Sequence, residues 1–179
     1  MKPYNPMVSV VMSCFNGDKY LSEALQSIIN QTYTNWELIF WDNQSTDLSA
    51  NIFKNFKDPR FKYFYSEKHT QVSEARTEAI KHINGEIISF LDVDDWWAKN
   101  KLQKQIELFE NPEIGLVYGN YYLFNEKTNQ KKICHSKPLP RGRILEDLLK
   151  SYVVGLLTIS IRKSFYLQLS YKFHKDLVI

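Results

Sequence analysis

The sequence has few cysteines, few glycines and no long apolar run. Its two cysteines, Cys14 and Cys134, are too few for a disulfide framework or a cysteine metal site, so we expect a reducing compartment. Neither of the common glycine-rich phosphate-binding motifs is present. The N-terminus lacks the apolar core of a signal peptide, and no run approaches the ~20 apolar residues of a membrane span. These absences predict a soluble cytoplasmic protein with, at most, peripheral contact with the inner membrane face.

The sequence also lacks a large excess of either positive or negative charge. The 179 residues include 23 basic and 20 acidic residues, a net charge of +3, which argues against nucleic acid as a partner. Basic residues are spread along the chain. Small clusters such as Lys131-Lys132 and Arg141 to Arg143 are expected to form solvated surface, with contact to phosphate or to an anionic membrane surface as the alternative. With 44% hydrophobic residues and no low-complexity segment, the composition is typical of one globular domain.

Short apolar runs alternate with amphipathic segments over the first half of the chain. We predict strands at 7–12, 36–41, 61–65 and 86–91, with helices at 18–30, between 47 and 58, and at 72–83. This alternation is typical of an α/β fold with a parallel sheet. Further along, the pattern predicts a helix at 99–111, a strand at 115–124 paired with 131–136, a helix at 143–152 and a strand at 153–161.

Polar and aromatic side chains follow three of the predicted strands. In open parallel sheets ligands bind beyond the carboxyl ends of the strands, so these residues are candidates for ligand contact. They are Ser13, Phe15 and Asn16 after the first strand, Asp42 and Asn43 after the second, and Asp92 and Asp94 after the fourth.

The acidic stretch Phe-Leu-Asp-Val-Asp-Asp-Trp-Trp at 90–97 is the strongest local signal. Three carboxylates within four positions repel one another unless a cation lies among them, and hard oxygen ligands suit Mg²⁺ or Mn²⁺. A solvated acidic turn that caps the next helix, with Asp95 as the cap, is the simpler alternative. A phosphohydrolase with Asp92 as nucleophile is a weaker one, because its acids would follow the first strand of the fold rather than the fourth.

Several motifs in the right order resemble the family 2 glycosyltransferases. They are Val8-Ser9-Val10-Val11-Met12 with Phe15-Asn16, Gln31-Thr32-Tyr33, Trp36-Glu37-Leu38-Ile39, Asp42 to Asp47, Ala75-Arg76, Gly85-Glu86 and Asp92-Val93-Asp94-Asp95. The resemblance implies a GT-A fold, a Rossmann-like, mostly parallel sheet with helices on both faces. It also implies a single domain with a donor half at 1–98 and an acceptor half at 99–179.

The implied activity is inverting transfer of a sugar from a nucleotide-sugar, with UDP-sugar as the expected donor. The acceptor would be a glycan or lipid-linked molecule in surface polysaccharide or lipopolysaccharide synthesis. The implied donor site comprises Ser13, Phe15, Asn16, Asp42, Asn43, Arg76, Asp92 and Asp94, with Asp94 and Asp92 as ligands of Mn²⁺ or Mg²⁺. Asn43 stands where the family usually has an acid that contacts the base, which weakens the expected preference for uracil.

The catalytic base is the least defined element. The family's acidic pair falls near the end of this chain, where Asp176-Leu177 matches only the trailing part and His174 occupies the position of the base. Asp176 is therefore a weak candidate base, and we expect the chain to bind donor but transfer sugar poorly. The alternative is a truncated, non-catalytic protein that binds nucleotide-sugar.

Overall fold

The computed structural model describes residues 4–169, and within that range it contains two sheets. The strands are β1 (Val8–Cys14), β2 (Trp36–Asp42), β3 (Phe61–Tyr65), β4 (Ile87–Phe90), β5 (Leu116–Val117), β6 (Tyr122–Asn125), β7 (Gln130–Ile133) and β8 (Ser160–Arg162). The helices are α1 (Asp18–Ile29), α2 (Ser49–Asn55), α3 (Val72–Ile80), α4 (Lys101–Leu108), α5 (Leu145–Lys150) and α6 (Lys163–Gln168). None of these helices is long and apolar enough to cross a bilayer.

The main sheet has the strand order β3-β2-β1-β4-β8-β5. Strands β1 to β4 pair in parallel, whereas β8 runs antiparallel to both of its neighbours. The chain steps outward from β1 to β3 and then returns to place β4 on the other side of β1. This reversal opens a crevice at the carboxyl ends of β1 and β4, where ligands bind in sheets of this type. The predicted mostly parallel α/β sheet is confirmed.

Helices cover both faces of the sheet because successive strand residues point to opposite sides. In β1, Val10 and Met12 belong to the core on one face, and Val11 belongs to the core on the other. The first core takes buried residues of α1, α2 and α4, among them Leu21, Leu25, Ile28, Phe53, Leu102 and Ile106. The second takes Ala75 and Ala79 of α3 and Tyr166 of α6.

The predicted strand at 115–124 is wrong in its extent. Only Leu116–Val117 joins the main sheet, beside β8, and Tyr122–Asn125 belongs instead to the β6–β7 hairpin. Between them the side chain of Asn120 donates to the carbonyl of His135 (2.6 Å) and accepts from its amide (3.1 Å). These two bonds join the two arms at the base of the hairpin, a pairing that an apolar run does not reveal.

The predicted strand at 153–161 is also wrong over most of its length. A 3₁₀ turn occupies Leu156–Thr158, and the strand itself is only Ser160–Arg162. The hydroxyl of Thr158 donates to the carbonyl of Gly155 (2.7 Å), and the carbonyl of Thr158 accepts from the Gln105 side chain (2.7 Å). The local bond to Gly155 and the tertiary bond from Gln105 together override the preference of the β-branched residues for a strand.

A buried carboxylate joins the amino ends of the parallel strands. Glu37 of β2 accepts hydrogen bonds from Ser9 of β1 (2.6 Å) and the Asn84 amide (2.6 Å), and forms an ion pair with Lys62 of β3 (2.6 Å). The Ser9 hydroxyl in turn accepts from the Gly85 amide (2.8 Å). A Cβ on Gly85 would lie 2.6 Å from the Ser9 nitrogen, so this close approach requires glycine. The cluster links three strands to the loop that enters β4.

The ionisation of Glu37 follows from these contacts. Burial acts to raise the pKa of Glu37, but the bonds from Lys62, Ser9 and Asn84 outweigh it and lower the pKa to about 2. A carboxyl pKa that is lower in the folded state stabilises the fold above the pKa of the unfolded chain, about 4.3. That contribution is lost as the pH falls toward 2.

We expect Glu37→Gln to lower the free energy of unfolding at pH 7 by about 3 kcal/mol, the value of a pKa shift of this size. The variant should also lose the part of the acid dependence that falls between about pH 5 and 2. Urea unfolding across this pH range measures both effects. Glu23→Gln, at an exposed position of α1, is the matched control. Equal stability of the two variants would contradict this role of Glu37.

Candidate functional site

A cavity of about 440 Å³ lies at the carboxyl ends of β1, β2 and β4, in the crevice of the sheet. The structure brings six of the eight predicted donor-site residues together around it. They are Ser13, Phe15, Asn43, Arg76, Asp92 and Asp94. Residues that are far apart in the sequence therefore share one wall because their strands are neighbours.

Asp42 does not line the cavity and is fully buried. One carboxylate oxygen accepts from the Ser45 amide (2.7 Å) and the other accepts from the Tyr63 hydroxyl (2.5 Å). Both oxygens are thus engaged inside the protein. In this structure Asp42 shapes the loop after β2, and its predicted contact with the nucleotide stays a prediction.

Asn16 is the other predicted residue outside the cavity lining. It adopts a left-handed backbone conformation (φ 52°), and its side-chain oxygen accepts from the Thr46 amide (2.8 Å). Nearby, the Gly17 amide donates to the Ser49 hydroxyl (2.9 Å), and the Asp18 amide donates to the Asp47 carboxylate (2.9 Å). The loops after β1 and β2 therefore brace each other.

The braced loop leaves the Phe15 ring 49% exposed at the cavity. The ring is not part of either hydrophobic core. The ring packs beside His69, whose ring centroid lies 4.1 Å away with a tilt of 51°. An exposed ring at this place is available to stack on a flat ligand group.

The segment after β3 contributes residues that the sequence reasoning missed. His69 and Thr70 line the cavity, and both contact Asn43. The Nδ1 atom of His69 lies 3.0 Å from the Asn43 carbonyl oxygen, which can only accept, so Nδ1 carries a proton. Both residues follow the carboxyl end of the third strand. The expectation that ligands bind beyond strand ends, which identified candidates after the first, second and fourth strands, therefore also points to them.

The side chain of Asn43 is held by Thr70. Its amide group donates to the Thr70 carbonyl (2.7 Å), and its oxygen accepts from the Thr70 amide and hydroxyl (both 3.1 Å). The contact needs a donor and an acceptor on one side chain, which an amide supplies and a carboxylate does not. This explains, within the structure, why an amide suits position 43.

The acidic stretch lies where the cavity opens. The Asp92 carboxylate pairs with Arg76 of α3 at 2.6 Å, whereas the Asp94 side chain is exposed at the cavity edge. Burial, with the charges of Asp94 and Asp92, raises the pKa of Asp95 to about 6. The predicted capping role of Asp95 is wrong, because α4 begins at Lys101 and Asn100 is its N-cap.

The donor atoms here suit a hard divalent cation, with Asp94 the more accessible ligand. Within residues 4–169 the Asp94 carboxylate forms no hydrogen bond or ion pair, whereas one Asp92 oxygen accepts from Arg76. In the same range no three His, Cys, Asp or Glu side chains converge to hold a metal. A cation at Asp94 would therefore complete its six or more oxygen ligands from water or a bound phosphate.

A second cavity of about 850 Å³ adjoins the first, and Asp94 lines both. Its walls are rich in aromatic side chains, namely Tyr20, Trp96, Trp97, Tyr121, Tyr122 and Phe124. Trp97 is buried and its indole N–H donates to the Leu157 carbonyl (2.8 Å), so this side chain serves packing. Trp96 meets Phe124 edge to face at 5.4 Å.

The candidate catalytic base Asp176, like His174, lies outside the described residues. The proposed contribution of either side chain stays a prediction.

A model described as glycosyl transferase family 2 matches residues 9–166. The chain is 33% identical over 171 residues to the UDP-Glc:alpha-D-GlcNAc-diphosphoundecaprenol beta-1,3-glucosyltransferase WfgD of Escherichia coli. That alignment covers 95% of this chain and 66% of the relative, so the chain spans just under two thirds of that protein's length.

Two solved structures show the same fold. S. aureus TarS 1–349 in complex with UDP superposes with a TM-score of 0.57 at 25% identity, covering 62% of this chain and 34% of that one. The mannosyltransferase PcManGT from Pyrobaculum calidifontis, in complex with GDP-Man and Mn²⁺, gives a TM-score of 0.74 at 19% identity. The superposition covers 98% of this chain and 49% of the PcManGT chain.

We expect Asn43→Asp to lower the free energy of unfolding by about 1–3 kcal/mol, because a carboxylate would face the Thr70 carbonyl without a proton to donate. Urea unfolding measures this effect. Asn51→Asp, at an exposed position of α2, makes the same chemical change outside the cavity. If both variants are as stable as the parent, the Asn43–Thr70 contact does not hold the segment after β3.

Proposed function

The chain belongs to glycosyl transferase family 2, whose model it matches over residues 9–166, and we propose that it transfers a sugar from a nucleotide-sugar to a glycan or lipid-linked acceptor. The observation that carries this proposal is the junction of two cavities at Asp94. A polar cavity with a basic side chain suits a nucleoside diphosphate, and an aromatic cavity suits the faces of sugar rings. The bond to be broken would lie between them.

Nucleotide recognition is assigned to the first cavity. The exposed Phe15 ring would stack on the base, and Asn43 would lie at the base edge with His69 beside it. Arg76 would place its guanidinium near the diphosphate, which it complements in charge and shape. A UDP-sugar is the proposed donor, because WfgD uses UDP-Glc by name and TarS was solved with UDP.

Asp94 would hold a divalent cation, Mn²⁺ or Mg²⁺, together with the two phosphates. Bound there, such an ion neutralises the charge that develops on the departing nucleoside diphosphate. The PcManGT structure contains Mn²⁺ with its nucleotide-sugar. Asp92 would act mainly by holding Arg76 in place, since their 2.6 Å ion pair occupies one of its oxygens.

The second cavity is assigned to the acceptor. An acceptor hydroxyl oxygen would form the new bond to the anomeric carbon as the bond to diphosphate breaks, which inverts the configuration. The hydroxyl proton would pass to a carboxylate base, for which Asp176 is the candidate. The proposed division is a donor half at 1–98 and an acceptor half at 99–179, although Tyr20, Trp96 and Trp97 of the first half also line the second cavity.

The acceptor and the location are inferred from relatives. The name of WfgD states a lipid-linked diphosphate acceptor, which supports a role in surface polysaccharide synthesis. We place this chain in the cytoplasm, in peripheral contact with the inner face of the membrane, where a lipid-linked acceptor of this kind would be reached.

Asp94→Ala should abolish the part of nucleoside diphosphate binding that depends on metal and leave the fold intact, because the side chain is exposed. Isothermal titration with UDP and with GDP, each with and without Mn²⁺, measures this dependence. Asp147→Ala removes an exposed carboxylate outside both cavities and should bind as the parent does. Unchanged metal dependence in Asp94→Ala would show that the cation binds elsewhere.

Transfer itself is tested by UDP release from a UDP-sugar with and without an N-acetylglucosamine-diphospholipid acceptor. We expect the acceptor to accelerate the release of UDP. Asp176→Ala should slow this release without loss of UDP binding. Release that is equally slow with and without acceptor, at intact UDP affinity, would contradict transfer by this chain. That result would favour a protein that only binds nucleotide-sugar.

A further inference from the structure

One stretch of the surface is rich in basic residues and has no acidic ones. Segment 127–143 carries six of the 23 basic residues and none of the 20 acidic ones, so the rest of the chain has a net charge of −3. All six side chains are exposed: Lys127, Lys131, Lys132, Lys137, Arg141 and Arg143. A cluster of this kind attracts an anionic surface.

The β6–β7 hairpin adds apolar side chains on both of its faces. Tyr122 and Ile133, which are paired across the two strands, share one face, and Leu123 lies on the other face opposite Lys132. Tyr122 is 65% exposed, Leu123 56% and Ile133 43%. The apolar residues of an antiparallel sheet normally lie on its buried face instead. The hairpin is a separate two-stranded sheet, and no other strand of residues 4–169 pairs with it. We call these three side chains together with segment 127–143 the hairpin surface.

The hairpin surface lies at the second cavity. Phe124 of β6 contacts Trp96 in the cavity wall, and Lys131 of β7 lies 5.6 Å from the centre of the Trp96 ring. At the hairpin turn, Glu126 forms an ion pair with Lys19 of α1 at 3.1 Å. These contacts fix the hairpin beside the cavity, so whatever binds the hairpin surface is brought close to it.

We propose that the hairpin surface docks the protein on an anionic lipid bilayer. Exposed aliphatic and aromatic side chains enter the interfacial region of a bilayer, and neighbouring lysines and arginines bind its acidic headgroups. The aliphatic side chains favour lipid over nucleic acid, since Leu123 and Ile133 offer neither a stacking face nor a hydrogen bond. The inference deepens the proposed function by presenting the acceptor cavity to the membrane.

The test is sedimentation of the 179-residue protein with lipid vesicles. We expect binding to vesicles of equal parts phosphatidylcholine and phosphatidylglycerol, little binding to phosphatidylcholine alone, and weaker binding as salt is raised. Lys127→Gln with Lys132→Gln should lower the partition coefficient by about fivefold for each charge removed. Neither lysine lines either of the two cavities described above, so nucleoside diphosphate binding should not change.

The apolar contribution is tested by Leu123→Ser with Ile133→Ser, which should weaken vesicle binding at every salt concentration. Lys54→Gln with Lys57→Gln removes two exposed charges at the end of α2 and should bind vesicles as the parent does. Circular dichroism of each variant confirms that the fold is retained.

Three results would overturn the proposal: no binding to the anionic vesicles, equal loss in the Lys54 and Lys57 control, or self-association or RNA binding that the hairpin substitutions remove. Asp94→Ala separates this inference from the proposed function. It should lose metal-dependent binding of UDP and retain vesicle binding. A failure of the membrane-docking proposal therefore does not contradict the proposed transferase function, and the reverse also holds.

Discussion

The sheet depends on one buried carboxylate at its amino edge. Glu37 accepts from Ser9 and from the loop before β4, and it pairs with Lys62, so three parallel strands and the entry to a fourth share a single anion. Bonds of this kind stabilise only while every partner is present, because a buried charge left unpaired is costly. The register of strands held at this edge decides which side chains meet at the opposite, carboxyl edge.

At that opposite edge, polar residues divide into those that build the loops and those that face the cavity. The side-chain oxygens of Asp42 and Asn16 accept hydrogen bonds from neighbouring amide and hydroxyl groups. The bond to Asn16 ties the loops after β1 and β2 together. Phe15 and Asp94 stay exposed. A rigid frame under exposed side chains favours binding, because the backbone is already ordered and only the side chains lose entropy when a ligand binds.

The two cavities differ in character because different parts of the fold build them. The first is made by strand ends and α3, and its charges are the Arg76–Asp92 pair and Asp94. The second is lined on one side by the β6–β7 hairpin, which is separate from the main sheet, and its walls are rich in aromatic side chains. Placing a lipid-binding surface on that hairpin would join the aromatic cavity to the membrane and leave the polar cavity open to water.

The order of apolar runs and the polar or aromatic residues after them were sufficient to predict the α/β sheet and five of the residues around the first cavity. The sixth, Arg76 of α3, was predicted only from the resemblance to the family. Local pattern carries that information, because strand periodicity and strand-end position are properties of neighbouring residues. It did not carry the burial of Asp42, the Asn43–Thr70 pair, the presence of His69, or the division of 115–124 between two sheets. Each of these depends on a partner more than ten positions away, and only the folded chain decides which distant donor meets which acceptor.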